Sequence, residues 1–326
     1  MEYDLHSYDN YICLLSGGKD SSCLVLYLLE NGISRDKIEL WHQLVDAHGP
    51  TFMDWDITPD YCRRFAEAFS VKLYFQWKDG GFRREMLREN ERTAPVSFEL
   101  PDGSVRTLGG DKGSFSTRRK FPQLSADLRT RWCSSYLKID PATKAIVNQE
   151  RFRGIRTLVL SGERGEESPQ RAKYAIWEPD RADLRNGRIP RHVDRHRPLR
   201  DWKEGQVWAL LEKYRVRAHP CYFMGWPRCS CRFCIFSTPD QFASAAQVSP
   251  SHALEICGYE ESFGCTIRRD RSLRSCIASG KSYAQITPQY IRLANSRVYD
   301  QSIILPPDEP WILPAGAFRE SCGVNT

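Results

Sequence analysis

At 326 residues, with 41% hydrophobic and 27% charged residues, the chain has the make-up of a globular protein and length enough for one large or two modest domains. No apolar run approaches the roughly 20 residues that cross a bilayer, and the polar, acidic start from Met1 to Asn10 carries no secretory pattern. Twelve cysteines without an export signal point to thiols or metal ligation in a cytoplasmic protein, not to a disulfide framework.

In chain order, Tyr11 to Leu15 reads as a strand and Cys23 to Leu29 as the apolar part of a helix that closes at Asn31-Gly32. Between them stands Ser16-Gly17-Gly18-Lys19-Asp20-Ser21-Ser22. Two glycines let the backbone approach a ligand closely, the first helical amides point at it with the helix dipole behind them, and Lys19 and the serine hydroxyls add donors. Such a nest wants phosphate. It is not the common nucleotide loop, which separates its first glycine from the Gly-Lys-Ser/Thr ending by four residues.

Ile38 to Val45 then reads as a second strand, Thr58-Pro59 as a capped helix start, and Val71 to Trp77 as a third strand. Strands alternating with helices imply a doubly wound, parallel α/β sheet, with ligands at the carboxyl ends of the strands. Asp46, ending the second strand, is thus a candidate nucleotide contact. From about residue 92 to 131 periodicity fades among prolines and glycines, as expected of a loop or insertion. Asp140-Pro141 opens another helix, Ile155 to Leu160 is a buried strand, and Glu204 to Tyr214 is an amphipathic helix. Beyond residue 218 the chain becomes Cys-rich, which suggests a nucleotide-binding domain over 1–217 and a metal-binding, helical segment over 218–326.

Two basic stretches stand out. One includes Lys112, Arg118, Arg119, Lys120, Arg129 and Arg131, and the other has seven arginines between Arg181 and Arg200, among them Arg188, Arg191 and Arg195. They are candidates for a phosphate-contacting nucleic-acid surface. Cys221, Cys229, Cys231 and Cys234 lie close together in a loop-rich setting, and four thiolates suit zinc or a 4Fe-4S cluster equally well by spacing. Cys13, Cys23 and Cys62 sit in strand or helix patterns as core thiols.

The first loop resembles the pyrophosphate loop, Ser-Gly-Gly-x-Asp-Ser, of the adenine nucleotide alpha-hydrolase superfamily. Arg131-Trp132-Cys133, Ser161-Gly162-Glu163-Arg164 with Glu167-Ser168, Arg197-Pro198-Leu199, His219-Pro220-Cys221-Tyr222 and Cys231-Arg232-Phe233-Cys234 resemble successive motifs of the phosphoadenosine phosphosulfate (PAPS) reductase-like family. The resemblance implies that Gly162, Arg164, Glu167 and Ser168 line the nucleotide site. It also implies a 4Fe-4S cluster on Cys133, Cys221, Cys231 and Cys234, with Cys229 as the alternative fourth ligand and zinc as the alternative metal.

Sulfonucleotide reductases of this family carry a degenerate loop, whereas this chain keeps the whole of it and so resembles the ATP-using members, among them the iron-sulfur ATP pyrophosphatase of DNA phosphorothioation. On that resemblance Ser16, Gly17, Gly18 and Ser21 hold pyrophosphate, Lys19 stabilises phosphate charge, Asp20 positions Mg2+, and Arg164 forks onto phosphate. Implied partners are ATP, DNA or another phosphate-bearing acceptor, and a sulfur donor such as a cysteine desulfurase. The alternatives are a PAPS reductase, for which the Glu320-Ser321-Cys322-Gly323 tail is a partial match, and a nucleic-acid-binding module without turnover.

Overall fold

The computed structural model describes residues 3–319, so Cys322 lies outside the described residues. Numbered in chain order, the strands are β1 (Asn10–Leu14), β2 (Ile38–Leu44), β3 (Lys72–Lys78), β4 (Val96–Glu99), β5 (Val105–Leu108), β6 (Arg156–Leu160), β7 (Trp177–Pro179) and β8 (His192–His196). They form one sheet in the order β5-β4-β3-β2-β1-β6-β8-β7. The five strands from β3 to β8 in that order are mutually parallel, and β4, β5 and β7 are antiparallel additions at the edges. The expected doubly wound α/β architecture is what the chain adopts.

Alternation along β1 sends its side chains into two cores. Tyr11 and Cys13 join the face covered by helices α1 (Lys19–Glu30), α2 (Thr58–Phe69) and Glu204–Lys213, while Ile12 joins the face covered by Asp140–Val147. The C-terminal helices Pro239–Val248, Pro250–Phe263, Leu273–Ser279 and Pro288–Ala294 pack into the first of these cores. No seam in packing falls at residue 218. Trp55, Tyr61 and Trp208 share one continuous core with Tyr222, Trp226 and Phe242. No helix among the described residues is long and apolar enough to cross a membrane.

Two regions differ from expectation. The stretch expected to be irregular holds the β4–β5 hairpin, whose turn is the Pro101-Asp102-Gly103 that broke the periodicity. The arginine-rich stretch contains β8, whose Asp194 is fully buried and accepts from the Tyr8 hydroxyl at 2.8 Å and, side by side, from Arg185. Charged residues can fill an inward strand position when each finds its counter-charge.

The order of strands reverses at β1, which leads to β2 on one side and lies beside β6 on the other. At such a switch point the carboxyl ends splay apart and leave a crevice. The exit of β6 closes tightly on the start of α1: a Cβ added at Gly162 would stand 3.0 Å from the carbonyl carbon and oxygen of Asp20. We therefore expect Gly162→Val to cost ~1–3 kcal/mol by overpacking, read as a lower urea midpoint. An unchanged midpoint would mean that β6 and α1 have room to part.

Candidate functional site

The Ser16–Ser22 loop leaves β1 at this switch point and becomes the first turn of α1 at Lys19. Gly17 takes a positive φ of 79°, which only glycine adopts without strain. The Ser21 hydroxyl donates to the Gly18 carbonyl at 2.9 Å and accepts the Ser16 amide at 3.1 Å. The loop is thus preshaped by its own serines.

Its roof comes from the Cys-rich segment. The Tyr222 hydroxyl accepts the Lys19 amide at 2.9 Å and the Cys229 amide at 3.2 Å, and a Cβ on Gly18 would lie 3.2 Å from both the Cys229 Cβ and the Tyr222 hydroxyl. Lys19 was expected to reach the ligand, yet it is only 3% exposed. Its ammonium donates to the Pro227 carbonyl at 3.0 Å, stands 3.5 Å from Asp20 and 3.6 Å from Glu204, and lies over the rings of Tyr222 and Trp208. In this state Lys19 is a brace beneath the roof.

Asp20 is held by Arg164 Nε at 2.5 Å as well as by Lys19. Burial works against its ionisation, but those two cations outweigh it and keep the carboxyl below its usual range. Arg164 is itself buried and also donates to Glu166 at 2.6 Å. Glu167 pairs with Arg171 and faces Arg228 at 3.7 Å, while the Ser168 hydroxyl caps the short helix Pro169–Ala172. Every cation around the loop thus already has a carboxylate partner, and an entering phosphate must exchange with one. Arg228 and Glu204 were not singled out in the sequence; for Arg228 the available signal was a cation directly before Cys229.

Asp46 does not stand free at the end of β2. Its Oδ2 accepts the amides of Phe52, Met53 and Asp54 at 3.0, 2.9 and 2.8 Å, which folds the loop that follows, while its Oδ1 is buried without a partner. Burial, opposed by those amides, raises its pKa from 3.8 to about 6. Nearby, a depression of about 500 Å³ opens beyond β2 and β3, lined by Asp46, His48, Trp77, Asp79 and Arg83 among others. Its lining does not reach the Ser16–Ser22 loop.

Of the expected ligands, Cys221 groups closely with His219 and Cys229, while Cys133, Cys231 and Cys234 are neighbours of one another. Cys133, Cys231 and Cys234 are half-buried electrostatic neighbours around the solvent-accessible Lys138. Burial pushes the Cys133 thiol up to about 11. A π-helical turn, Ser135–Ile139, begins two residues after Cys133 and carries Lys138. Cys221 instead lies with His219 and Cys229, their ligand atoms all within 4.8 Å of one another. A single residue, Ser230, separates Cys229 from Cys231, and Arg232, directly after Cys231, anchors that side of the loop: fully buried, it pairs with Asp56 at 2.6 Å and with Ser249, and its amide donates to the Met53 carbonyl at 2.8 Å.

The basic surface is smaller than the sequence suggested. Arg118 is inside, paired with Glu85 at 3.1 Å and stacked on Trp132 and Tyr136. Arg191 is buried against the Ala182 carbonyl, and Arg195 is locked to Asp180 at 2.6 Å. Arg119 pairs with Glu89 at 2.7 Å, while Lys120 and Arg188 are exposed.

Residues 112–237 match the phosphoadenosine phosphosulfate reductase domain. The match takes in both thiol groups and Arg164 but not the Ser16–Ser22 loop. Over that stretch the chain is similar to the PAPS reductase domain. Over 280 residues, 80% of this chain and 77% of the other, it is 26% identical to an uncharacterized 37.8 kDa protein of Escherichia phage 186. It is 29% identical over 110 residues to the adenosine 5'-phosphosulfate reductase of Burkholderia cepacia, and 30% over 102 residues to that of Allochromatium vinosum. Those matches take in 34% and 31% of this chain and span 38% and 34% of the two reductases. The crystal structure of the Candida auris PAPS reductase is 15% identical, with a TM-score of 0.38 over 68% of this chain and 80% of that one.

Two outcomes follow from the geometry. Lys19→Ala should lower stability by ~3 kcal/mol, because it leaves Glu204 without its buried cation and Asp20 with Arg164 alone; denaturant unfolding that matches the parent would contradict the bracing role. Because the folded pKa of Asp46 is raised, its contribution to stability is present below about pH 4 and is lost as pH rises to about 6. Asp46→Asn, which cannot ionise, should therefore gain melting temperature relative to the parent between pH 4 and pH 6 and hold that gain above. A constant difference across that range would refute it.

Proposed function

We propose that this chain cleaves ATP between its α and β phosphates at the Ser16–Ser22 loop and passes AMP to an acceptor oxygen, from which a sulfur nucleophile then displaces it. The balance is simple: pyrophosphate leaves as the acceptor oxygen bonds to the α phosphorus, and AMP leaves as the sulfur bond forms. The observation that carries the reading is the intact Ser-Gly-Gly-Lys-Asp-Ser loop at the sheet's switch point, with Arg164 and Arg228 beside it. Such a reaction needs positioning and charge stabilisation more than a strong base. Mg2+ would arrive with the nucleotide, and Asp20 could receive it only by releasing Arg164 or Lys19.

Cys133, Cys231 and Cys234 fit a soft metal centre, and a 4Fe-4S cluster there would supply an electron-rich group beside the Lys138 ammonium. Three thiols are one short of a complete set. For a DNA acceptor, Arg119, Lys120 and Arg188 remain at the surface to meet phosphate; Arg118, Arg191 and Arg195 are committed inside.

A second reading, sulfonucleotide reduction, is favoured by the partial matches to adenosine 5'-phosphosulfate reductases. One experiment separates the two: anaerobically purified protein is given radiolabelled ATP, or adenosine phosphosulfate with a thiol reductant. AMP plus pyrophosphate from ATP supports the proposal, and sulfite from the sulfonucleotide with no ATP turnover overturns it. Arg228→Ala should cut ATP turnover ~10-fold or more while leaving the melting temperature nearly unchanged, since its half-exposed side chain pairs only at 3.7 Å. Full activity in that variant would remove Arg228 from the site.

A further inference from the structure

The group formed by His219, Cys221 and Cys229 is not used by this reaction. His219 and Cys221 are fully buried, Cys229 is half-buried, and their ligand atoms lie within 4.8 Å of one another. The Nδ1 lone pair of the histidine, which would ligate, is held as the acceptor of a helix cap and would have to release the Cys221 amide to bind a metal. Its Nδ1 accepts the Cys221 amide at 3.2 Å, so the ring hydrogen is on Nε2, which faces the Thr58 hydroxyl oxygen at 3.2 Å. A ligating imidazole characteristically donates its other nitrogen to such an outer partner. Thr58 was expected as a helix cap; Ile57 occupies that position instead, and the Thr58 hydroxyl is turned to His219.

The surroundings fit a cation better than a second thiol function. Two thiols and a neutral imidazole are soft to borderline donors, the set that selects zinc among abundant divalent ions. Spacings this short suit a single ion shared by all three ligand atoms. Cys62 is engaged with His42 Nδ1 at 3.5 Å, and three protein ligands would leave one coordination position open.

We propose that His219, Cys221 and Cys229 form a mononuclear zinc site, separate from the group of Cys133, Cys231 and Cys234, that stiffens the roof over the phosphate loop. The placement gives the ion that role. The Cys229 thiol lies 4.0 Å from the Ser16 carbonyl, its Cβ packs on Gly18, and its amide shares the Tyr222 hydroxyl with the Lys19 amide. Binding would displace protons from both thiols and fix Cys229 to the buried Cys221 and His219. The roof over the phosphate loop would then be held in place by coordinate bonds, and the loop beneath it by the hydrogen bonds to Tyr222 and the Cys229 contacts.

The test uses cobalt as a spectroscopic stand-in, added to reduced, metal-free full-length chain. In a Cys231→Ser, Cys234→Ser background, which removes the other thiol pair, one equivalent of Co2+ should give thiolate-to-cobalt absorption and tetrahedral ligand-field bands that stoichiometric Zn2+ abolishes. Adding Cys229→Ser should weaken cobalt binding at least ~100-fold, and zinc should then no longer raise the melting temperature. In the otherwise unaltered chain, Cys229→Ser should lower cobalt stoichiometry by one, a readout that does not require the double variant to fold. Absence of the bands, their survival in Cys229→Ser, or a Cys221–Cys229 disulfide in place of metal uptake would overturn the proposal. None of these readouts uses ATP, so the site stands or falls apart from the proposed activity.

Discussion

The Tyr222 hydroxyl is the point on which the candidate site depends. It accepts one amide from the phosphate loop and one from the Cys-rich loop, and its ring forms one wall around the Lys19 ammonium. A single buried oxygen satisfying two buried donors ties them together more firmly than two separate bonds, because moving either segment strands the other's amide. The hydrophobic core brings the Cys-rich segment against α1 and α2; Tyr222 sets which residues meet.

Charge is arranged around that joint in the same economical way. Lys19, Arg164 and Arg228 face Asp20, Glu166, Glu167 and Glu204, so the site is nearly self-neutralised without a ligand. A nucleotide's phosphates must compete with carboxylates for these cations. Binding is therefore a partner exchange, which favours a ligand carrying several negative charges over one carrying a single charge. Asp20 is the carboxylate with most to release, since two cations converge on it.

Much of the sheet was legible because its signals are local. The strand-loop-helix at β1, the strands β2, β3 and β6, and the helices at Thr58, Asp140 and Glu204 follow from apolar period and from proline or glycine at their ends, and their bounds agree to within a few residues. β8 was not legible because Asp194 and Arg195 look like solvated charge until Arg185 and Asp180 are placed beside them. The direction of Lys19 was hidden for the same reason: Glu204, Pro227 and Tyr222 decide it, and all three are remote in sequence. The thiols were legible as metal ligands in kind but not in grouping, since Cys229 lies with the buried His219 and Cys221, one residue short of Cys231, and no spacing rule contains that.

The joint between the two loops is tested most directly by hydrogen exchange in Tyr222→Phe, compared with the parent chain in segments 16–22 and 226–234. Loss of the shared acceptor should speed exchange in both segments together while leaving β3 unchanged. Unchanged exchange in both segments, or acceleration in one alone, would show that the phosphate loop and the Cys-rich roof are held independently and would contradict the account.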